Sequence, residues 1–405
     1  MKQIVIIGGG AAGIFAAVNA ARLGNENCKV IILEKSNQLL SKVKISGGGR
    51  CNVTHHCFEP KELVKNYPRG SKELLSAFYH FNPTHTVEWF QSRGIEIKTE
   101  ADGRMFPESN ESQTIIDCLL TEAKKYDVDI KTSFEIDAIE IENNQFIIKN
   151  KYKNIIADKL LVAAGGNALG SLTKKIKEWK HTMQSAIPSL FTFNIPNHPF
   201  NELSGIGLEK VEITLPEIKQ KMQGAFLFTH WGISGPAVLK LSAFAAKELF
   251  EMKYQFKILI NFVPELSANE VKEMILKAKQ NQAKQKVCSN PLFFLPKRLW
   301  LLICEQSNIA ATLNFADLNK IQIEKLYQLI ISYPLEANGK ATFKDEFVTC
   351  GGITLNEINF KTMESKIIPN LFFAGEIIDV DGITGGFNFQ NAWTTGIIAA
   401  ENMVA

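Results

Sequence analysis

The chain opens on an unbroken apolar, β-branched run, Ile4-Val5-Ile6-Ile7, with no polar alternation. That is the pattern of a strand buried on both faces of a parallel sheet. A helical stretch follows from about Ala12 to Leu23, with Gly24 as its stop. A second buried strand runs from Val30 to Leu33. Asn82 caps a helix that has Pro83 at its first position and ends near Gly94. Asn110 and Gln113 resemble a capping box for a helix to about Tyr126, with Ile115, Ile116, Leu119, Leu120 and Ala123 on one apolar face. Asp129 to Thr132 reads as a third parallel strand. Alternation at Ile139, Ile141, Phe146 and Ile148 predicts a small antiparallel excursion, and Leu160 to Ala164 another buried strand.

From about Pro188 the texture changes to short alternating runs, Ser189 to Ile195, Leu208 to Leu215 and Gly224 to Phe228. From Pro264 to Pro334 it turns helical and lysine-rich, with mixed charges that read as a solvated face rather than a nucleic-acid patch, so no nucleic-acid partner is expected. Ser267 caps one helix, Pro296 starts a second, and a third ends near Ile331. Leu371 to Phe373 is a last buried strand, and Trp393 to Asn402 a last helix. The expected fold is α/β, with a Rossmann-like domain built from both chain ends, 1–187 and 346–405. A β-rich, barrel-like insertion, 188–263 and 335–345, interrupts it and itself carries a helical domain, 264–334. The first and last strands are expected to be neighbours in one sheet.

The turn after the first strand, Gly8-Gly9-Gly10-Ala11-Ala12-Gly13, contains G-x-G-x-x-G. Gly8 permits a tight turn, Gly10 lets a pyrophosphate approach, and Gly13 lets the helix pack on the sheet. Glu34 ends the second strand about twenty residues further on, where a ribose diol would sit, and its charge would repel a 2′-phosphate. Gly8, Gly10, Ala12, Gly13, Glu34 and Lys35 form the expected dinucleotide-facing set.

Composition narrows the partners. Over 405 residues the formal charge is only +3, and 45% of positions are hydrophobic. Neither calls for nucleic acid, and no apolar run is long enough for a bilayer. The N-terminus runs straight into the nucleotide motif, so no leader is expected. Seven cysteines without a C-x-x-C fit a reducing cytoplasm and argue against a disulfide reductase. Cys51, His55, His56 and Cys57 match no common zinc spacing, so no metal is expected.

The run Ser46-Gly47-Gly48-Gly49-Arg50-Cys51-Asn52 resembles the signature of the YhiN/BaiN-like predicted flavoproteins, which include an aminoacetone oxidase and a flavoprotein linked to bile-acid reduction. The resemblance spans essentially the full length and is strong at 46–54 and 375–393. It implies FAD in a glutathione-reductase-like two-dinucleotide fold. It also implies that Lys42 and Gly49, Arg50, Cys51 and Asn52 lie near the cofactor, the last four near its isoalloxazine. Related FAD folds meet the adenine with the backbone at the position of Ile136, and Ala164 and Gly165 resemble a second FAD contact. Only Asn167 to Ser171 follow these glycines, where the family has a longer segment. By position Gly375 and Glu376 meet the ribityl chain. Asp381, Gly382, Gly386, Phe387, Asn388 and Ala392 complete the set, with the last helix aiming its dipole at the flavin edge that becomes negative on reduction.

The expected activity is an FAD-dependent oxidoreductase passing electrons between a small organic substrate and NAD(P)H or O2. No second strand-linked G-x-G-x-x-G offers NAD(P)H a Rossmann domain of its own. An amine oxidase of the aminoacetone type, an enone-type reductase and a non-catalytic flavin-binding redox sensor are the alternatives. Cys51 and Arg50 are candidate catalytic residues, because Arg50 and backbone amides would favour a thiolate. His230, in Thr229-His230-Trp231-Gly232, is the third.

Overall fold

The computed structural model describes residues 1–165, 169–196, 202–341 and 348–405. The chain divides into two compact units, one of 1–189 with 343–405 and the other of 190–342.

The first unit is built on a seven-stranded sheet. Its order is Ile358–Asn359, Glu364–Ser365, Leu371–Phe373, Lys159–Val162, Lys2–Ile7, Cys28–Leu33 and Asp129–Lys131. The last five pair in parallel, and the first two add an antiparallel edge. Ile4, Val5 and Ile6 are fully buried, as an unalternating run in a parallel sheet must be. The first and last strands share this sheet but are not neighbours. Lys159–Val162 lies between them, pairing Ile4 with Lys159 on one side and Leu160 with Leu371 on the other. Both chain ends do meet through helices. Helix Ala11–Gly24 packs on Phe387–Val404, where a Cβ on Gly396 would sit 2.9 Å from the Ala12 carbonyl oxygen.

Several element boundaries differ from the sequence reading. The last helix begins at Phe387 rather than Trp393, because Gly386 takes a left-handed conformation that ends the preceding turn. The helix Ser112–Lys125 starts from Glu111 without a side-chain cap. Asn110 instead occupies a left-handed turn at φ 57°. Helix Pro83–Gln91 does carry its cap, with Asn82 and His85 bonded reciprocally. In the antiparallel excursion Ile139, Phe146 and Ile148 are buried, but Ile141 at the hairpin end is exposed.

The second unit holds a seven-stranded antiparallel sheet, in the order Tyr333–Asn338, Gln255–Asn261, Gly207–Leu215, Gln220–Thr229, Gly232–Ser234, Thr192–Asn194 and Lys340–Ala341. Its two terminal strands are consecutive in the chain and joined at Gly339, whose φ of 98° suits glycine. One bent stretch therefore supplies both edges, and the sheet curls on itself. Helices Ala268–Asn281, Lys297–Gln306 and Lys320–Ile331 belong to this unit. Reciprocal capping boxes at Ser267/Glu270 and Asn319/Gln322 start the first and third.

His181, near the antiparallel pair Met183–Pro188 and Thr349–Ile353, is buried and bonds the Ser365 hydroxyl at 2.8 Å. Burial holds its imidazole below the ordinary 6.5. The unfolded chain then binds the proton more readily, so stability from this group is whole above that ordinary value and is lost as pH falls through the folded one. Thermal midpoints of wild type and His181→Gln, measured between pH 7 and 5, are expected to converge on acidification. Parallel curves would refute this.

Candidate dinucleotide and redox site

The three glycines of the first turn do different work. Gly8 has φ 114°, and a Cβ there would lie 2.6 Å from the Ala163 carbonyl oxygen. A Cβ on Gly13 would run into the Gly8 carbonyl oxygen. A Cβ on Gly10 would meet no atom within 4 Å. Gly10 is thus the position where the turn is open to an external group. It also starts helix Ala11–Gly24, which has no side-chain cap and no acid in its first turn. Bare amides and a partial positive charge suit a phosphate. Glu34 accepts from the amides of Gly9 (2.7 Å) and Ser36 (2.8 Å), which fixes its carboxylate beside the turn. Ala12 is buried, whereas Lys35 is exposed and pairs with Glu135 at 3.2 Å. Ile136 is half-buried in the connection between Asp129–Lys131 and Ala138–Glu142.

Ala164 and Gly165 end strand Lys159–Val162. A Cβ on Gly165 would approach the Glu376 carboxylate at 3.3 Å and the Lys42 ammonium at 3.9 Å. Lys42 and Glu376 form an ion pair although 334 residues apart, so the structure brings these three predicted positions together. Gly166, next in the run, lies outside the described residues. Gly375, at φ 74°, packs against Ala12.

The glycine-rich run is a short helical turn that breaks. Ser46 leaves the helix at ψ 148°, and Gly47 and Gly48 are left-handed. Gly48 and Gly49, with φ of 68° and 83°, have open space where a Cβ would be. Beyond them the chain is tied to the C-terminal helix by buried polar groups. The Thr54 hydroxyl donates to Gln390 (2.6 Å), as does Thr86 (2.9 Å), and the Trp393 indole donates to the Val53 carbonyl (2.9 Å). With its amide oriented to satisfy both ends, Asn52 accepts from the Gly386 amide and donates to the Thr54 carbonyl, each at 2.9 Å.

Helix Phe387–Val404 begins at Gly386 with no side-chain cap and no acid in its first turn. A clamp unread in the sequence holds the loop before it. Asp381, fully buried, is bound by Arg69 through two nitrogens and by the Ser189 hydroxyl. The Tyr67 hydroxyl donates to the Phe387 carbonyl (2.6 Å), and the Asn388 amide bonds both backbone groups of Gly382 (2.8 Å each). The Asp381 and Asn388 side chains therefore shape the loop. Ala392 is buried in the helix. His55 stacks on Phe387, with ring centres 4.6 Å apart, and no spacing rule singled it out.

The catalytic expectations fare differently. Cys51 is fully buried, and burial pushes its thiol up to about 12, so the expected thiolate is not formed. Arg50 is directed away from it, to Glu100 at 2.5 Å and over the Phe106 ring at 4.0 Å. His230 sits on an exposed turn of the second unit, between Gln220–Thr229 and Gly232–Ser234.

A parallel sheet with a glycine turn open at one position, and a second uncapped helix start lined by glycines, define a Rossmann-type dinucleotide-binding protein. The chain belongs to the HI0933-like family, whose Rossmann-domain model matches residues 2–402. This is the flavoprotein family that the sequence resembles, and its class is the FAD-dependent oxidoreductases. The chain is 30% identical to a 3-dehydro-bile acid delta(4,6)-reductase of Clostridium scindens, over 99% of this chain and 98% of that protein. It is 29% identical to a ribosomal RNA dihydrouridine synthase of Haemophilus influenzae, over 98% of each. Among solved structures, the 3-ketosteroid delta1-dehydrogenase of Sterolibacterium denitrificans shares the fold, with a TM-score of 0.54, 9% identity and full coverage of both chains. No helix among the described residues is long and apolar enough to cross a membrane.

Proposed function

We propose that the protein reduces a carbon–carbon double bond conjugated to a carbonyl, with NAD(P)H as electron source and FAD as carrier. One observation carries the reading. Two relatives that match along their whole length bear names for very different substrates, yet the bond reduced is of one kind. In a 3-oxo-4,6-diene and in the uracil ring alike, the alkene is conjugated to a carbonyl and open to hydride at its β-carbon.

Bound FAD would supply two-electron transfer. Gly10 leaves room for its pyrophosphate, and Glu34 offers acceptors to the ribose hydroxyls. Lys42, Gly165 and Glu376 would flank the ribityl chain. Gly48 to Asn52 and the start of helix Phe387–Val404 would face the redox ring, where bare amides favour negative charge. Cys51, held neutral, packs and orients rather than attacks.

The test is anaerobic. NAD(P)H should bleach the flavin absorbance of the purified protein, and a 3-oxo-4-ene steroid or a uridine oligonucleotide should restore it with two hydrogens gained by the product. Bleaching by amines alone, with rapid recovery in air, would replace the reading by an oxidase. A flavin reducible by neither reagent would leave a redox sensor.

A further inference from the structure

The small net charge conceals a local excess. Between Met274 and Cys304 lie Lys277, Lys279, Lys284, Lys286, Lys297 and Arg298, with no aspartate or glutamate among them. Some of these cations are occupied. Lys277 lies 3.7 Å from Glu273, Lys279 donates to the Ala316 and Leu318 carbonyls, and Arg298 donates to the Glu202 carbonyl at 2.6 Å. Among the described residues no ion pair involves Lys284, Lys286 or Lys297, and all three are exposed.

Phe294 stands in the same stretch, 105% exposed as a residue, the most exposed large apolar residue described. Its placement is fixed by its neighbours. Phe293 and Phe294 have φ of 59° and 57°, Leu295 is buried just beyond them, and its amide bonds the Leu292 carbonyl at 3.2 Å. The Trp300 indole donates to the Val287 carbonyl at 2.8 Å, which ties the segment after Lys284 and Lys286 to helix Lys297–Gln306. A flat ring is thereby held in water on a scaffold with unpaired cations before and after it.

We propose that this face of the helical segment is a docking surface for single-stranded RNA. An exposed ring stacks on an unpaired base whatever its identity, and flanking cations follow the phosphates. A duplex hides its base faces, which selects a single strand. The run from Met274 to Cys304 carries cations and no acid, which complements a polyanion. The exposed Asp317 lies beside it, next to Ala316, whose amide bonds the Ala283 carbonyl. The choice of RNA over DNA rests on the proposed reduction of a uracil-type ring; the ring and cations themselves do not.

The experiment is fluorescence anisotropy of a labelled 20-nucleotide oligouridine RNA with the full-length, FAD-loaded protein. It needs no turnover, so its failure is separate from failure of the redox reading. Phe294→Ala should weaken binding about tenfold. The double variant Lys284→Glu with Lys286→Glu should weaken it at least as much and flatten the salt dependence. Both positions are exposed, so thermal midpoint and flavin content should stay at wild-type values. Wild-type protein that does not bind the RNA, or Phe294→Ala binding as wild type does, overturns the proposal. Polyglutamate displacing the RNA at equal charge concentration also overturns it, in favour of an acidic protein partner.

Discussion

Gly10→Ala is expected to yield a folded protein that binds its flavin far more weakly. The position has φ −86°, which alanine adopts freely, and a new Cβ would touch no protein atom within 4 Å. The apo fold should therefore melt within about 0.5 kcal/mol of wild type, as for a surface change. The only thing the methyl group can meet is a ligand pressed against the turn. Overpacking of this kind costs about 1–3 kcal/mol, or roughly ten- to hundredfold in FAD affinity. Gly13→Ala is the contrast, because its Cβ would collide with the Gly8 carbonyl oxygen and disturb the turn itself. Flavin titration and thermal melting of both apo proteins separate the two. Should Gly10→Ala retain FAD as tightly as wild type, the pyrophosphate does not lie where the turn is open.

Asp381→Ala should be among the most destabilising single substitutions in the chain. It removes the two-nitrogen partner of the Arg69 guanidinium, 11% exposed, and one acceptor of the Ser189 hydroxyl. Leaving one member of a buried ion pair costs about 3–5 kcal/mol. Removing both charges costs far less, so the double variant Arg69→Met with Asp381→Leu should recover most of the thermal midpoint. The loop 379–386 is held at Asp381, at the Ile383 amide on the Asn66 carbonyl (2.9 Å), and at Tyr67 on Phe387. Loosening one tether should thus also weaken flavin retention. An unchanged midpoint for Asp381→Ala would show that the clamp contributes nothing.

The glycine turn, the first two strands, the helix between them and the acid at Glu34 were legible because each rests on local chemistry. A φ that only glycine tolerates, an unalternating apolar run and a cap all act within a few residues. The same holds for Ser267, the cap of the first helix of the helical segment, whereas the Asn319/Gln322 box went unread. What pattern could not supply was partnership across the chain. Whether Leu371–Phe373 pairs with Lys2–Ile7 or with Lys159–Val162 is a choice among equally apolar strands, and packing made it. The clamp on Asp381 was not legible because its partner, Arg69, is 312 residues away. Cys51 looked reactive from its neighbours in sequence, but burial, which no neighbour list encodes, keeps it a thiol. The sequence by itself settled which backbone conformations and which elements form, since those energies are short-range. Tertiary structure alone decided which charges are matched, which are left in water and where an external group can enter, because desolvation depends on everything packed around a residue rather than on what adjoins it.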